Sequence, residues 1–238
     1  MKNFLALIPA RGGSKGIPKK NLYPIMNKPL LEYTLDAAFG STNLKQVHLS
    51  SEDSEIIHFA KSYGVSVDYV RPAHLATDEA TTLDVVLDFL DWQEANQGLP
   101  DALVLLQPTS PLRGALDIDQ AIHQFIDSGV DSLVSVHEMT DHPNKCIRLS
   151  SQSDASSWQF LLDNPSKVTR RQDYANDFYT INGAIYISTP SFIRKNKNFV
   201  VAGKTSLFKM NPVNGVDVDE IKDIFQVESY LKMMNVKK

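Results

Sequence analysis

Cysteine is almost missing from this chain: its 238 residues include a single one, Cys146. One thiol cannot close an internal disulfide, and it cannot build a metal site made of thiolates. Both of these ways of stabilising a fold are therefore excluded. A free cysteine is usually a small and partly buried side chain, and we expect that of Cys146.

Long apolar runs are missing as well. No stretch approaches the roughly 20 consecutive apolar residues that cross a bilayer. The first ten residues also lack the pattern of a secretory signal, because the apolar run after Lys2 is short and Arg11 interrupts it. We therefore expect a cytoplasmic protein with no membrane among its partners.

The chain has no excess of positive charge. It carries 24 Lys and Arg against 28 Asp and Glu, which gives a formal net charge of −4. This balance argues against nucleic acid as a partner, since such proteins present a basic surface. With 42% hydrophobic and 22% charged residues, the composition is that of a globular protein. The length predicts one domain, residues 1–238, with a sizeable core.

Short apolar runs alternate with helix-period segments over the first 140 residues. Strands are predicted at Phe4–Ile8, Gln46–Leu49, Val67–Val70, Ala102–Gln107 and Ser132–Val136. Helices are predicted near Pro29–Phe39, Ser54–Tyr63, Thr82–Ala95 and Ala115–Ser128. This alternation predicts an α/β fold with a mostly parallel central sheet and helices on both faces. Ligands of such sheets bind beyond the carboxyl ends of the strands.

The alternation stops near residue 139. Residues 139–177 are polar and rich in Ser, Asp, Asn and Gln, which indicates either a flexible insertion or an arm that orders against another subunit. A strand is predicted again at Gly183–Ile187, followed by a helical stretch around Pro190–Lys195. The chain closes with an acidic turn at Asp217–Glu220 and a last amphipathic helix that runs to about Met234.

The loop after the first predicted strand, residues 10–21, holds three glycines and four cations. Glycines let backbone N–H groups approach a phosphate, and cations such as Arg11 and Lys15 supply the charge that adjacent phosphates demand. The order of residues fits neither the GxGxxG nor the GxxxxGK[ST] phosphate-binding pattern. The alternative is a solvated loop without a ligand.

A second polar loop, residues 107–113, follows the strand predicted at Ala102–Gln107. The Gln107 amide can both donate and accept hydrogen bonds, and the two prolines of the loop fix its direction. A structural turn that leads into a helix is the alternative. Arg113 is four residues before Asp117, so it could simply pair with that carboxylate.

Near the end of the chain, Asp217 and Asp219 are two residues apart. Carboxylates at this spacing on an extended segment point to the same side and can share one hard cation such as Mg²⁺. The alternative is that Asp219 caps the helix that follows.

Together these segments resemble a known family. Residues 8–21 (IPARGGSKGIPKKN), residues 105–113 (LLQPTSPLR) and the aspartate pair resemble the signatures of the CMP-sialic acid synthetases, the cytidylyltransferases of nonulosonic acids. The resemblance implies a Rossmann-like nucleotidyltransferase fold in which residues 139–180 form a dimerisation arm, and a homodimer that uses Mg²⁺. Its implied substrates are CTP and a nine-carbon 2-keto sugar acid, which give the CMP-sugar and pyrophosphate.

The resemblance also implies roles for individual residues. The catalytic set is Arg11, Lys20, Asp217 and Asp219, of which the two aspartates hold the metal. The nucleotide-binding set is Ala10, Arg11, Gly12, Gly13, Lys15, Lys20, Asn21, Arg71, Ala80 and Thr82. The sugar-binding set is Gln107, Arg171, Gln172, Tyr186 and Phe199. Thr81 and Thr82 could also be helix N-caps, and Asn182-Gly183 could be only a turn. Whether Lys145 or Arg170 acts across the dimer stays open.

The identity of the sugar is left open between N-acylneuraminate and a legionaminate-like acid. Some sialic acid enzymes carry a basic residue or an aromatic pair where this chain has Thr180-Ile181 and Phe199-Val200, which favours a legionaminate-like or other bacterial sialic acid over N-acetylneuraminate itself. CMP-pseudaminate synthetases, CMP-KDO synthetases and other sugar nucleotidyltransferases are the enzyme alternatives. A CTP-binding regulator without turnover and a purely structural module are the other classes.

Overall fold

The computed structural model describes residues 2–150, 156–162 and 178–236. The strands are β1 Phe4–Pro9, β2 Pro24–Ile25, β3 Lys28–Pro29, β4 Leu44–Ser50, β5 Ala102–Leu105, β6 Ser132–Glu138, β7 Ile147–Leu149, β8 Trp158–Phe160, β9 Tyr179–Ser188 and β10 Ser206–Lys209. The helices are α1 Leu30–Gly40, α2 Ser54–Ser62, α3 Thr82–Asn96, α4 Ala115–Ser128, α5 Pro190–Asn196 and α6 Ile221–Val236. The predicted roles of Arg170, Arg171 and Gln172 fall outside the described residues.

Six strands form the central sheet in the order β10-β6-β9-β5-β1-β4. Strand β9 is antiparallel to both of its neighbours, and the other pairs are parallel. Helices cover both faces, as the alternation along β1 shows. Phe4, Ala6 and Ile8 belong to a core that includes residues of α1, α2 and α4, whereas Leu5 and Leu7 pack with α3 and α5. The predicted α/β architecture is therefore confirmed.

One predicted strand, Val67–Val70, is wrong. The segment makes a single parallel bridge to β4, between Ser66 and His48. Its apolar pattern has another cause, because Val65 and Tyr69 are buried against the helices and the sheet without a partner strand. Burial of alternate side chains alone does not require a hydrogen-bonded ladder.

The carboxyl ends of three parallel strands meet at one edge of the sheet. Pro9 at the end of β1 pairs with Ser50 at the end of β4, and Leu7 pairs with Leu105 at the end of β5. The antiparallel β9 brings its first half to the same edge, since Tyr186 pairs with Leu105. The loops that follow β1, β4 and β5 therefore leave the sheet side by side.

The described part of the predicted arm contains a small hairpin that stands apart from the central sheet. Strands β7 and β8 pair antiparallel, with Leu149 opposite Trp158. Its apolar side chains are largely exposed: Ile147, Leu149, Trp158, Phe160 and Leu161. Across the described ranges, no helix combines the length and the apolar character that a bilayer crossing requires.

Candidate active site

The predicted phosphate loop, residues 10–21, is held by its own side chains and by the end of the chain. Asn21 donates from Nδ2 to the carbonyl of Arg11 at 2.8 Å. Lys20 donates from Nζ to the carbonyl of Val218 at 2.8 Å and lies 3.2 Å from Asp219 Oδ1. Lys20, a predicted phosphate-binding cation, and Asp219, a predicted metal ligand, are therefore in direct contact.

The loop and the aspartate segment approach so closely that a side chain would not fit between them. A Cβ added at Gly16 would lie 2.6 Å from the carbonyl oxygen of Asp219. Another loop residue, Gly12, donates its N–H to Glu52 Oε1 at 2.7 Å, just after β4. The fourth cation of the loop points elsewhere, because Lys19 pairs with Glu55 on α2.

The aspartate segment is anchored to the loop after β5. Val218 is fully buried, and its N–H donates to the carbonyl of Thr109 at 2.8 Å. Asp223 accepts the N–H groups of Asp219 and Glu220 at the start of α6. The helix is thus capped by Asp223, and the carboxylate of Asp219 faces Lys20 instead.

Burial removes water from the Asp217 carboxylate and raises its pKa, and the negative charge of Asp219 adds to this effect. A hydrogen bond from Thr109 and the charge of Lys20 oppose it. Asp217, with its raised pKa, and the carboxylate of Asp219 beside it are a site that a cation would stabilise. Within the described residues, no cluster of three or more His, Cys, Asp and Glu could hold a metal. Mg²⁺ fits a two-carboxylate site, since it usually keeps waters and takes phosphate oxygens.

These residues line a first cavity of about 430 Å³. The predicted nucleotide-binding and metal residues that line it are Arg11, Gly13, Lys20, Asn21, Arg71, Ala80, Thr82, Asp217 and Asp219. Three others contribute differently. Ala10 is fully buried under the loop, Gly12 contacts Glu52 as described, and Lys15 pairs with a residue of the cavity wall.

Arg71 forms part of the floor of the first cavity. Its guanidinium donates to the side chain and the carbonyl of Ser50, at 3.0 and 2.8 Å, where β4 ends. Burial lowers the pKa of Arg71, and the nearby carboxylate of Glu52 opposes this. A fixed and buried donor is suited to read the carbonyl of a base, which is the predicted role.

The amino-terminal end of α3 opens onto the same cavity. Thr81 is the N-cap, and it exchanges hydrogen bonds with Asp84 in a capping box. Thr82, the first helical residue, lines the cavity. The capping role therefore belongs to Thr81, and Thr82 is left to face a ligand. The positive end of the helix dipole adds to the attraction for an anion there.

Asp78, in the loop before α3, forms ion pairs with two of the predicted phosphate cations. Its carboxylate lies 3.0 Å from Arg11 NH2 and 2.7 Å from Lys15 Nζ. The hydrogen bond from Lys15 is the main cause that lowers the pKa of Asp78. An anionic ligand that binds Arg11 and Lys15 would therefore have to compete with the Asp78 carboxylate.

A second cavity of about 560 Å³ shares Gln107 and Asp217 with the first. Its wall includes the predicted Tyr186 together with His137 and Asn182, which sequence reasoning did not assign. The remaining predicted sugar residue, Phe199, lines neither cavity. Its ring packs against that of Tyr186 with centroids 5.5 Å apart, so it supports the aromatic wall from behind.

The alternative that Asn182-Gly183 is only a turn is wrong, since both lie inside β9. Asn182 is buried and accepts hydrogen bonds from Ser135 Oγ and from the N–H of Ala184, at 2.5 and 3.1 Å. Gly183 has φ +73°, and a Cβ there would lie 2.8 Å from Gln107 Oε1. The glycine therefore makes room for the Gln107 amide between the two cavities.

Sequence reasoning left Glu52 and Asp78 without a role, although the position of Glu52 carried a signal. Glu52 lies two residues after β4, at the edge where ligands of parallel sheets bind. Asp78 lies within the polar segment before α3 that contains Arg71 and Thr82. Position beyond a strand's carboxyl end could have identified Glu52. The contacts of Asp78 depend on the fold, and no spacing in the sequence predicts them.

Comparison with known proteins follows this geometry. The family described as cytidylyltransferase matches residues 5–230. The N-acylneuraminate cytidylyltransferase of Streptococcus agalactiae serotype V is 34% identical over 95% of this chain and 53% of that protein. The chain therefore spans about half the length of that relative. The CMP-N,N'-diacetyllegionaminic acid synthase of Legionella pneumophila is 32% identical over 97% of both chains.

Among solved structures, a CMP:2-keto-3-deoxy-manno-octonic acid synthetase complexed with CTP is similar, with a TM-score of 0.68. The alignment covers 98% of this chain and 99% of that one at 15% identity, so it supports the fold alone. The family match over nearly the whole chain and the full-length relative agree with the site described above. The chain belongs to the cytidylyltransferase family.

Proposed function

We propose that this protein transfers CMP from CTP to a nonulosonic acid and releases pyrophosphate. The observation that carries the proposal is that the loop of residues 10–21 and the aspartate pair line one cavity, which shares Gln107 and Asp217 with a second cavity. The first cavity has the cations for a triphosphate. The second has the amide, hydroxyl and aromatic groups that suit a sugar. The names of the Streptococcus and Legionella relatives agree with this assignment.

In the proposed reaction, the oxygen of the sugar 2-hydroxyl forms a bond to the α-phosphorus. The bond from that phosphorus to the oxygen bridging to the β-phosphate breaks, pyrophosphate leaves, and the hydroxyl proton passes to solvent. Such transfers depend on positioning and charge neutralisation. Arg11, Lys15 and Lys20 supply the positive charge, and Gln107 lies where acceptor and nucleotide would meet.

Asp217 and Asp219 are the residues that would hold Mg²⁺. Bound there, the ion would neutralise charge on the phosphates and polarise the reacting phosphoryl group. The carboxylates keep their own role in this scheme, because Asp219 also orients Lys20 through the 3.2 Å contact. Asp217 reaches both cavities and is therefore next to the acceptor as well.

For the acceptor we favour a legionaminate-like acid over N-acetylneuraminate. Thr180 and Ile181 line the second cavity, where some sialic acid enzymes have a basic residue. An apolar Ile181 suits the methyl group of a 9-deoxy sugar better than a hydroxyl, which would lose its hydrogen bonds there.

We further propose a cytoplasmic homodimer. The apolar side chains of the hairpin β7–β8 are exposed in the single chain, and a second copy would cover them. A Trp158→Lys variant should then reduce the mass in solution to that of a monomer, measured by light scattering. Ser62→Lys, on the exposed end of α2, is the control and should leave the dimer intact.

The direct test is pyrophosphate release from CTP with a panel of acids: N,N′-diacetyllegionaminate, N-acetylneuraminate, pseudaminate and KDO. The nucleotide is varied in parallel across CTP, UTP, ATP and GTP. We expect turnover with CTP and a legionaminate-like acid, with the others slower. Tight binding of CTP without pyrophosphate release for any acid would contradict the proposal in favour of a regulator.

A further inference from the structure

Arg113 is a buried cation that has no role in the reaction proposed above. Only 2% of its surface is exposed. The alternative drawn from the sequence, an ion pair with Asp117, is wrong. Asp117 instead accepts the N–H of Gly114 at 2.8 Å and a hydrogen bond from Asn214 Nδ2 at 3.1 Å.

The guanidinium of Arg113 donates to acceptors on three separate parts of the fold. NH1 donates to the carbonyl of Gln107 at 3.1 Å and to the carbonyl of Ala184 on β9 at 2.8 Å. NH2 donates to Thr34 Oγ1 on α1 at 2.7 Å. A single side chain therefore ties the loop after β5 to the neighbouring strand and to a helix.

Burying the charged guanidinium costs free energy that a side chain serving only to fill space would not cost. Burial lowers the pKa of Arg113, because a charged group in a protein interior loses its hydration. Its three hydrogen bonds within the described residues go to neutral oxygens, and the nearby charge of Asp117 only partly offsets this loss. An apolar side chain would fill the same volume without that penalty.

The acceptors of NH1 explain what the cation provides. The Gln107 carbonyl is bound directly, and the Gln107 amide lies over Gly183, the residue before Ala184. NH1 of Arg113 thus holds both the backbone of Gln107 and strand β9, which lies against the Gln107 side chain. Thr34 fixes the other end of the guanidinium.

We propose that Arg113 is a positioning residue that holds Gln107 in place between the two cavities and so governs binding of the sugar acid. The inference rests on the proposed function, since it assigns the acceptor to Gln107. Arg71, Thr82 and the loop of residues 10–21 lie on elements that Arg113 does not hydrogen-bond. Binding of CTP should therefore depend on it much less.

The test is steady-state kinetics of two variants, Arg113→Lys and Thr34→Val. Lysine keeps the charge but cannot reach three acceptors, so kcat/KM for the sugar acid should fall about 30-fold. Thr34→Val removes one acceptor at constant shape and should raise the KM for the sugar acid about 5-fold. In both variants the KM for CTP should stay within about 2-fold of the wild type.

Two control variants separate positioning from loss of stability. Ser110→Ala changes the same loop at a buried hydroxyl that has no hydrogen-bond partner among the described residues, and Ile118→Val weakens the core on α4. Both should keep the wild-type ratio of the two KM values. In a Gln107→Ala background, Thr34→Val should have no further effect on the sugar acid, because the group that it positions is gone.

Equal changes in both KM values, or a Thr34→Val effect that persists without the Gln107 side chain, would overturn the inference. If Arg113→Lys does not fold, the Thr34→Val cycle decides. A wild-type protein that is inactive with every acid overturns the proposed function and this inference together. An active wild type with unchanged ratios in the variants overturns the inference alone.

Discussion

Lys20 Nζ lies 3.2 Å from Asp219 Oδ1, although 199 positions separate the two residues in the sequence. The lysine is mostly buried while the carboxylate is open to the cavity, with side-chain exposures of 16% and 74%. The amino-terminal loop and the carboxyl-terminal segment thus form one site. The cation proposed for phosphate and the carboxylate proposed for the metal are held together by their mutual attraction.

The first prediction concerns this pair. Lys20→Met and Asp219→Asn should each lower turnover at least about 100-fold, about 2.7 kcal/mol of barrier. The first removes a positive charge from the transferring phosphate, and the second removes a ligand of the proposed Mg²⁺. Lys19→Met is the matched control, since Lys19 pairs with Glu55 away from the cavity. Pyrophosphate release measures all three. Near-wild-type turnover in Lys20→Met would remove that lysine from the mechanism.

The second prediction concerns Asp78. A triphosphate has to compete with its carboxylate for Arg11 and Lys15. Asp78→Asn should therefore bind CTP more tightly, by about 3-fold, a modest change because the pairs are exposed and screened by solvent. Calorimetric titration with CTP measures the effect, which should shrink at high salt. The neighbouring Glu79→Gln is the control. Weaker CTP binding in Asp78→Asn would show that Asp78 supports the ligand instead.

The third prediction links magnesium to pH through Asp217. Its pKa is raised, so protons compete with Mg²⁺ for the aspartate pair as the pH falls through that pKa. Chelation should abolish pyrophosphate release, and added Mg²⁺ should restore it. More Mg²⁺ should also extend activity to lower pH.

The control for this coupling is Glu220→Gln, which removes an exposed carboxylate paired with Lys222. This variant should keep the wild-type relation between Mg²⁺ concentration and pH. Asp217→Asn should lose that relation together with most of its activity. An acid limb that does not move with Mg²⁺ would count against Asp217 as a ligand.

The fourth prediction concerns stability. His48 is buried beside Phe89 and Trp92, and burial lowers its pKa below 6.5. Below pH 6.5 the unfolded chain therefore binds a proton that the folded chain does not, so the free energy of unfolding falls as the pH falls. His48→Phe should show less of this loss between about pH 6.5 and 5. Urea midpoints measure it, with the exposed His58→Gln as the control that keeps the wild-type slope.

Local patterns were sufficient for most of the fold. The apolar run Phe4–Ile8 corresponds to β1, which is buried along nearly its whole length. The helix-period segment at 115–128 corresponds to α4, which buries one face. The glycines and cations of residues 10–21 indicated a phosphate site, because such groups suit phosphate, and the aspartate pair indicated a site for a hard cation. The structure brings residues of both segments to one cavity, and their roles there stay predictions.

Contacts between distant segments were not accessible in this way. The sequence places Arg113 four residues from Asp117, yet the guanidinium turns toward oxygens on α1 and β9. The pattern at Val67–Val70 is apolar for reasons of burial, and no local rule says that a partner strand is missing. The pairing of Asp78 with Arg11 likewise depends on how two loops meet above the sheet.

The polar insertion begins and ends at directly paired residues, Glu138 on β6 and Tyr179 on β9. Its length and composition can therefore change without moving any strand of the central sheet. Thr140 and Thr180, next to this pair, line the second cavity, whereas Arg11 and Lys20, proposed for the triphosphate, line the first one. If the second cavity takes the acceptor as proposed, exchanging this segment between relatives should change their acceptor preference and leave their affinity for CTP unchanged.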